Sequence, residues 1–223
     1  MKGVPNKSKK TRAAKILIRL RQNYVKKSND FILWKTPLEL LIGTVLSAQC
    51  TDKKVNQVTQ TLLFHKYPSA TDYAAADLPT LEQEIFSLGF YRVKARYLKG
   101  IGTILTSQFN GKVPNTVEKL LTLPGVSYKT AYLIMAKGFG QNMGIAVDTH
   151  VKRLAPRLGL TSEINNIEKI GRDLQSLYQP KDYLDVNEYL ILHGRNLCGR
   201  IPQCGKCFLA DMCPTGKKRL SQE

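Results

Sequence analysis

The sequence has no apolar run that approaches the roughly 20 residues needed for a membrane-spanning helix. It has no convincing period-two alternation of apolar and polar residues, and no internal repeat or low-complexity segment. It is also poor in acidic residues, with 17 Asp and Glu against 34 Lys and Arg, a formal net charge of +17. These shortages argue against a membrane protein and against a β-sheet protein. The basic surplus favours nucleic acid as a partner, bound mainly through phosphates, although a ribosome-associated or merely basic protein has a similar charge.

The N-terminal residues Met1 to Arg12 are basic and polar and lack the apolar core of a secretory signal. We predict a basic, flexible arm over residues 1–12. A mitochondrial presequence is the alternative interpretation, although the stretch is short and lacks an apolar face. The expected location is the cytoplasm, associated with the nucleoid, in a prokaryote, and the nucleus or mitochondrion in a eukaryote.

Helical periodicity dominates the rest of the chain. After Pro37, apolar residues recur at the spacing of one helix face: Leu38, Leu41, Ile42, Val45 and Leu46. The pattern predicts an all-α fold, with one helix from about Ala13 to Tyr24, about six between Phe31 and Gly138, and three or four more before the C-terminal cysteines. The hydrophobic fraction of 43% is enough for one large domain or two small lobes that share a core.

Four of the five cysteines are clustered, with the spacing C-x5-C-x2-C-x5-C at Cys198, Cys204, Cys207 and Cys213. This clustering in a chain without an export signal favours a metal site over disulfides. The spacing suits either a tetrahedral zinc ion or a four-iron cluster. Cys50 stands alone and is expected to be a small buried residue.

The most informative stretch is LPGVSYKTA, residues 123–131. Pro124 and Gly125 should end a helix over Val117–Leu121 and turn the chain into a second helix over Ser127–Lys137. Backbone N–H groups from Gly125 to Ser127 would then form a nest for an anion such as a DNA phosphate. A plain turn between two core helices has the same pattern.

A second informative stretch is IAVDTHVKR, residues 145–153. Its apolar run delivers Asp148 to the start of a helix. Asp148 is predicted to be the N-cap and to accept a hydrogen bond from the N–H of Val151, a role that is compatible with a catalytic one.

Together the motifs resemble endonuclease III of the helix-hairpin-helix superfamily of DNA glycosylases. The resemblance extends from about Leu17 to Pro214 and is carried by the two stretches above, the cysteine cluster, PLELLIGTVLSAQCTD at 37–52, LGFYRVKA at 88–95 and LILHGR at 190–195. It implies two helical lobes with a DNA cleft between them. One lobe is a six-helix barrel over residues 31–140 with the helix-hairpin-helix at 117–137, and the other combines 13–30 with 141–223. The cysteine loop at 198–213 is expected to hold a [4Fe–4S] cluster.

The implied activity is that of a bifunctional DNA glycosylase/AP lyase of base excision repair. By resemblance, Lys129 supplies the amine that attacks C1′ of the sugar and Asp148 the carboxylate beside the developing positive charge. Oxidised pyrimidines are the expected substrates, and the strand is cut 3′ to the abasic site by β-elimination from a Schiff base. The lysine matters because relatives that only remove bases lack it.

The resemblance also implies residues that contact DNA. Gln49 matches the glutamine that enters the duplex, and Phe90 matches an apolar wedge where leucine is more usual. Gly125, Val126 and Ser127 would hold a phosphate, and Arg200 would present a charge to another. The expected partner is damaged double-stranded DNA, bound by a monomer.

The sequence departs from the family pattern at two places. Five residues rather than six separate the first two cysteines, and Ser127 stands where the hairpin usually has a second glycine.

Two other functions share these motifs in part. One is a monofunctional uracil or mismatch glycosylase, against which Lys129 argues. The other is a non-catalytic DNA-binding module, against which the joint presence of Lys129, Asp148 and Gln49 argues.

Overall fold

The computed structural model describes residues 7–27 and 30–222. Over these residues all regular secondary structure is helical, and the only bridge between extended residues is an isolated one that joins Cys198 to Pro202. The predicted all-α fold is confirmed. Within the same residues no helix has both the length and the apolar character to cross a membrane.

Thirteen α-helices follow one another along the described residues. The first nine are α1 (Lys7–Asn23), α2 (Pro37–Leu46), α3 (Asp52–Val58), α4 (Phe64–Lys66), α5 (Ala70–Ala75), α6 (Leu78–Glu84), α7 (Tyr91–Gln108), α8 (Val117–Leu120) and α9 (Tyr128–Phe139). The others are α10 (Thr149–Arg157), α11 (Ile167–Leu177), α12 (Tyr183–Asn196) and α13 (Pro214–Leu220). A π-helical turn lies at Thr59–Leu63, and 3₁₀ turns lie at Pro180–Asp182 and Cys204–Lys206.

Helix α1 begins earlier than the sequence suggests. It starts at Lys7 rather than near Ala13, so the second half of the predicted flexible arm is helical, whereas residues 1–6 lie outside the described residues. The buried side chains of α1 start at Ala13. The earlier turns are mostly exposed and basic, and apolar periodicity cannot reveal a helix that buries nothing.

The chain divides into two compact units, one over residues 26–141 and one that combines the residues up to Val25 with those from Asn142 onward. Lys26, Lys27 and Asp30, which the sequence assigned to the second lobe, fall with the 26–141 unit, and residues 28 and 29 lie outside the described residues. Two hydrogen bonds from Asn56 fix the backbone that follows them, because its side chain accepts from Leu33 N and donates to Phe31 O. A side-chain amide that pairs with backbone 23 and 25 positions away leaves no apolar pattern in the sequence.

In the 26–141 unit, a single apolar core is built from residues of α2 to α9, including Leu41, Tyr73, Leu98 and Ile134. Over its described residues this unit has eight helical segments rather than about six. The difference arises partly because the π-helical turn separates α3 from α4 and because α8 is only four residues long. Short helices of this kind carry too few periodic positions to be counted from sequence.

In the other unit, α12 lies at the centre and is almost wholly buried. Arg21 of α1 donates from Nη2 to Asp182 at 2.7 Å and to Asp185 at 2.6 Å, which fastens α1 to the start of α12. The buried Asn187 donates to the carbonyl of Ala146 at 2.6 Å and so holds the apolar run that leads to α10.

Gly194 allows α12 to lie close to α10. A Cβ at this position would come within 2.5 Å of His150 Nδ1 and 3.0 Å of Arg153 Nη2. Both atoms are hydrogen-bonded to each other at 3.1 Å, so neither can move aside freely. The glycine of the LILHGR motif is therefore required by the packing of two helices.

We predict that Gly194→Ala lowers the Tm by roughly 2–10 °C, because overpacking a closed contact costs about 1–3 kcal/mol. Thermal unfolding followed by circular dichroism measures the change. Gly205→Ala is the matched control, since nothing lies within 4 Å of a Cβ placed there. Equal Tm values for the two variants would contradict the close approach.

Candidate active site and DNA-contact residues

The helix-hairpin-helix lies where the sequence predicts it, with α8 ending at Leu120 and α9 beginning at Tyr128. Gly125 has φ +74°, the left-handed region that favours glycine. A Cβ on Gly125 would also come within 2.6 Å of the Tyr97 ring on α7. The turn therefore needs glycine for its backbone conformation and for its contact with α7.

The predicted anion nest is smaller than expected. The N–H of Val126 donates to Leu123 O at 3.2 Å, so it is occupied by the turn itself. The N–H groups of Gly125 and Ser127 donate to no acceptor in the described part of the chain. These two groups, at the start of a helix, are the ones available to an anion.

Ser127 replaces the usual glycine without strain. Its φ of −104° is one that any residue adopts, so no glycine is required there. Its hydroxyl accepts from Thr130 N at 3.5 Å and so caps α9, as the sequence suggested. A glycine at this position would let a phosphate approach the backbone more closely. Ser127 instead caps the N-terminus of α9 with its hydroxyl.

Lys129 is the second residue of α9, and its side chain is exposed. No acidic residue lies in the first turn of this helix. The amine is therefore open to solvent at the N-terminal end of α9.

Asp148 is the N-cap of α10, and its Oδ1 accepts from Val151 N at 2.8 Å, as predicted. The run from Ile145 to Val147 before it is buried, which anchors the carboxylate at the surface of its unit. The side chain is half-buried, and only Oδ1 takes part in the capping bond. Asp148 and Lys129 belong to different units of the chain.

Gln49 and Phe90 share an uncommon backbone conformation. Among the described residues, three non-glycine residues have positive φ: Gln49 at 55°, Phe90 at 58° and Asn110 at 51°. Asn adopts this conformation readily, but Gln and Phe do so at a cost. Both are exposed, Phe90 to 62%. Left-handed residues that project into solvent are typical of functional sites.

The four clustered cysteines line one cavity, together with apolar atoms of Leu158, Leu197 and Ala210. Backbone N–H groups donate to two of the sulfurs, from Leu209 to Cys207 at 3.4 Å and from Gly216 to Cys213 at 3.3 Å. Among the described residues no three His, Cys, Asp or Glu side chains form a single-ion site. Four sulfurs around one cavity are the ligand set of a tetrahedral zinc ion or of a four-iron cluster.

Two arginines of α10 hold the loop that follows Cys198. Arg157 donates to Gly199 O at 2.6 Å and to Arg200 O at 3.0 Å, and Arg153 donates to Cys198 O at 3.2 Å. The shortened loop is therefore fastened to the helix that Asp148 caps. The side chain of Arg200 is exposed.

His193 lies at the base of the cavity and is only 1% exposed. Its Nδ1 pairs with the Tyr24 hydroxyl at 2.9 Å, and its Nε2 lies 3.6 Å from Cys207 Sγ. Burial lowers the pKa of His193 to about 4. The histidine of LILHGR is thus a packed, neutral residue, in agreement with the sequence interpretation.

Comparison with known proteins identifies the family. Residues 42–180 match the model of the HhH-GPD superfamily of base excision DNA repair proteins. Endonuclease III of Synechocystis sp. is 44% identical over 94% of this chain and 95% of its own length. The chain belongs to the endonuclease III family. It is a DNA glycosylase/AP lyase of base excision repair, so a purely DNA-binding module is excluded.

Solved structures agree with this assignment. A trapped covalent intermediate of an endonuclease III with DNA, in an estranged-adenine complex, has a TM-score of 0.87 and 37% identity, and covers 95% of this chain and 98% of its own. A thermostable thymine-DNA glycosylase has a TM-score of 0.82 at 23% identity over 96% of this chain and 98% of its own, which shows a shared fold. DNA is a partner of this member of the family.

Sequence reasoning missed Arg153, Arg157 and the packing role of Gly194. The signal for the arginines was present, because they lie at i and i+4 on the helix that begins at Asp148. Their acceptors, however, are backbone carbonyls about 40 positions later in the chain. Every residue has such a carbonyl, so the sequence does not show which one is the acceptor.

The backbone strain at Gln49 leads to a test. We predict that Gln49→Gly lowers the rate of base release by about tenfold or more, because nothing then fills the space of an extruded nucleotide. The Tm should hold or rise, because glycine removes a left-handed penalty of about 1–2 kcal/mol. Single-turnover base release and thermal unfolding measure the two effects.

Asn110→Gly is the matched control for Gln49→Gly. Asn110 also has a left-handed backbone, so the Tm of the Asn110→Gly variant should equal or exceed that of the wild type. Its rate of base release should equal the wild-type rate. A lower Tm for Gln49→Gly, or wild-type activity, would show that the turn after α2 has only a structural role.

Proposed function

We propose that the protein excises oxidised pyrimidines from double-stranded DNA and cuts the strand 3′ to the resulting abasic site, with Lys129 as nucleophile and Asp148 as the supporting carboxylate. It acts on damaged DNA as a monomer. The family resemblance supports oxidised pyrimidines as the lesions. The positions of Lys129 in the first turn of α9 and of Asp148 at the N-cap of α10 support their catalytic roles.

One observation carries this proposal. Lys129 is an exposed amine that lies two residues after Ser127, and the N–H groups of Gly125 and Ser127 have no acceptor among the described residues. Such N–H groups at a helix start hold a phosphate, so a nucleophile is placed within one helical turn of a DNA backbone contact. Cleavage of a sugar that is joined to that backbone needs such proximity.

The chemistry requires a neutral amine. Lys129 Nζ forms a bond to C1′ as the N-glycosidic bond breaks and the base leaves. The sugar ring then opens to a Schiff base, and loss of a proton from C2′ expels the 3′ phosphate by β-elimination. Water finally hydrolyses the Schiff base and frees the lysine. Asp148 accepts a proton or stabilises the positive charge that develops at the sugar.

Access to C1′ requires that the nucleotide leave the stack. Gln49 and Phe90 would occupy the duplex at that point, and their exposed, left-handed positions support this role. Arg200, whose side chain is exposed beyond a loop that Arg157 fastens, would contact a phosphate.

We further propose that Cys198, Cys204, Cys207 and Cys213 hold a [4Fe–4S] cluster. The shared cavity and the N–H donors to two sulfurs support a thiolate-bound metal group at this loop. The family resemblance favours a four-iron cluster over a single zinc ion. When bound, the cluster would supply structural cross-linking of the loop, since the repair reaction transfers no electrons. The protein's own contribution is the fastening of that loop to α10.

The two catalytic assignments are tested with duplex DNA that carries thymine glycol or an abasic site, in the presence of borohydride. Lys129→Gln should abolish the covalent adduct, because no amine remains. Asp148→Asn should slow base release by about 100-fold or more while it retains the capping bond and the Tm. Lys119→Gln, an exposed lysine of α8 in the same hairpin, is the control and should behave as wild type.

Each outcome separates the roles. An adduct that persists in Lys129→Gln would assign the nucleophile to another amine. Base release without any adduct in the wild-type protein would indicate a monofunctional glycosylase. A Tm that falls in Asp148→Asn together with activity would reduce Asp148 to a helix cap.

The cluster is tested by metal analysis of protein purified without oxygen. We expect about four iron and four sulfide per chain, against about one zinc for a tetrahedral ion site. Cys207→Ser should lose iron, whereas Cys50→Ser, which changes the cysteine outside the cavity, should retain it. Zinc in place of iron would contradict the proposal.

A further inference from the structure

The exposed apolar side chains of the 26–141 unit are concentrated in one region. Six large apolar residues of this unit are exposed, and five of them lie in the turn before α7, on α7, or in the hairpin: Phe86, Phe90, Val93, Tyr97 and Tyr128. Only Leu62 lies elsewhere. We call Phe86, Phe90, Val93 and Tyr97 the apolar strip.

The apolar strip leads from the wedge position to the hairpin. Val93 and Tyr97 are spaced as i and i+4, so they share one face of α7, and Phe90 is the residue that immediately precedes this helix. Seven residues of helix span about 10 Å. At the far end, the Tyr97 ring lies against Gly125 of the hairpin turn. The strip is thus continuous with the turn that offers free N–H groups to a phosphate.

Phe86 is the aromatic member of the strip that no role yet explains. It is 60% exposed, and it and Phe90 are the only two exposed residues among the seven phenylalanines, all of which are described. Their turn is anchored by Ile85 and Leu88, both fully buried. The turn therefore buries its aliphatic side chains and presents its aromatic ones to solvent.

The Phe86 ring is held in place rather than free. It packs edge-to-face against Tyr91, with centroids 5.0 Å apart, and the Arg92 guanidinium lies 4.9 Å from the centroid of the same tyrosine ring. Arg92 in turn lies 3.8 Å from Glu82. An ordered exposed aromatic loses little entropy when it binds a partner.

The charge beside the strip suits nucleic acid. Helix α7 contains Arg92 and Arg96, both exposed, and no acidic residue. Exposed aromatic rings next to cationic side chains are the arrangement on which unstacked bases bind, because every base has a π-face and every linkage a negative charge.

We propose that Phe86 is a second stacking residue, which binds a base left unpaired next to the site that Phe90 enters, and that it thereby determines preference for lesion-containing duplex. The inference deepens the proposed function and rests on the extrusion of the damaged nucleotide. Undamaged duplex offers no unstacked base, so the contact of Phe86 forms only at a lesion.

The test uses binding to a duplex with a non-cleavable abasic-site analogue, compared with the same duplex undamaged. Phe86→Leu retains apolar volume and the Tm but has no π-face. We expect Kd for the lesion duplex to rise about 5- to 50-fold, the value of one stacked base, with Kd for undamaged duplex unchanged. Phe86→Tyr should restore wild-type affinity.

Two further measurements complete the design. Leu62→Ala removes an exposed apolar side chain outside the strip and should change neither Kd. 2-Aminopurine opposite the lesion should lose fluorescence when wild type binds, through stacking, and retain it with Phe86→Leu. Equal loss of affinity for both duplexes, or wild-type affinity and quenching in Phe86→Leu, would overturn the proposal.

The result for Phe86 is separable from that for the proposed function. Binding to the non-cleavable analogue requires no chemistry, whereas the borohydride adduct with an ordinary abasic site reports the lyase in the same preparation. If the wild-type protein forms the adduct and Phe86→Leu binds the lesion duplex with wild-type affinity, the stacking role of Phe86 is contradicted. The proposed lyase function is then unaffected.

Discussion

The amide groups in the first turn of an α-helix have no partner within that helix and must be met by a side chain, by water or by a ligand. Four helices of this chain begin at a residue of the candidate site: Phe90, Ser127, Asp148 and Cys213. The last three supply a capping acceptor of their own, whereas Phe90 supplies none. Because a helix start favours negative charge, these positions suit a phosphate, a carboxylate and thiolates.

Backbone strain is concentrated at the residues proposed to enter the duplex. Gln49 and Phe90 hold left-handed conformations that glycine would adopt at lower cost. The proposed entry of these side chains into the space left by an extruded nucleotide would account for their retention, since glycine could not fill that space. The two strained residues therefore lower the free energy of unfolding, and both lie where DNA is proposed to bind. Backbone strain is often found at functional sites, where it is kept at the expense of stability.

Helix α10 connects the carboxylate with the cysteine loop. Asp148 caps its start, while Arg153 and Arg157 further along donate to the carbonyls of the loop from Cys198 to Arg200. Gly194 lets α12 approach the same helix. Side chains of α10 thus hold the shortened cysteine loop. The backbone of Arg200 is fixed by Arg157, while the Arg200 side chain is exposed.

The sequence by itself determined the all-α class, the hairpin between α8 and α9, the cap at Asp148 and the family, because periodicity, Pro-Gly and capping residues act over short distances along the chain. The start of α1 escaped prediction, since an exposed basic helix has no apolar pattern. Only the tertiary structure decided that Val126 N–H is occupied, that Ser127 needs no glycine and that Phe86 is exposed beside Tyr91. These features depend on backbone angles and on side-chain exposure in the folded chain, which residue type does not encode.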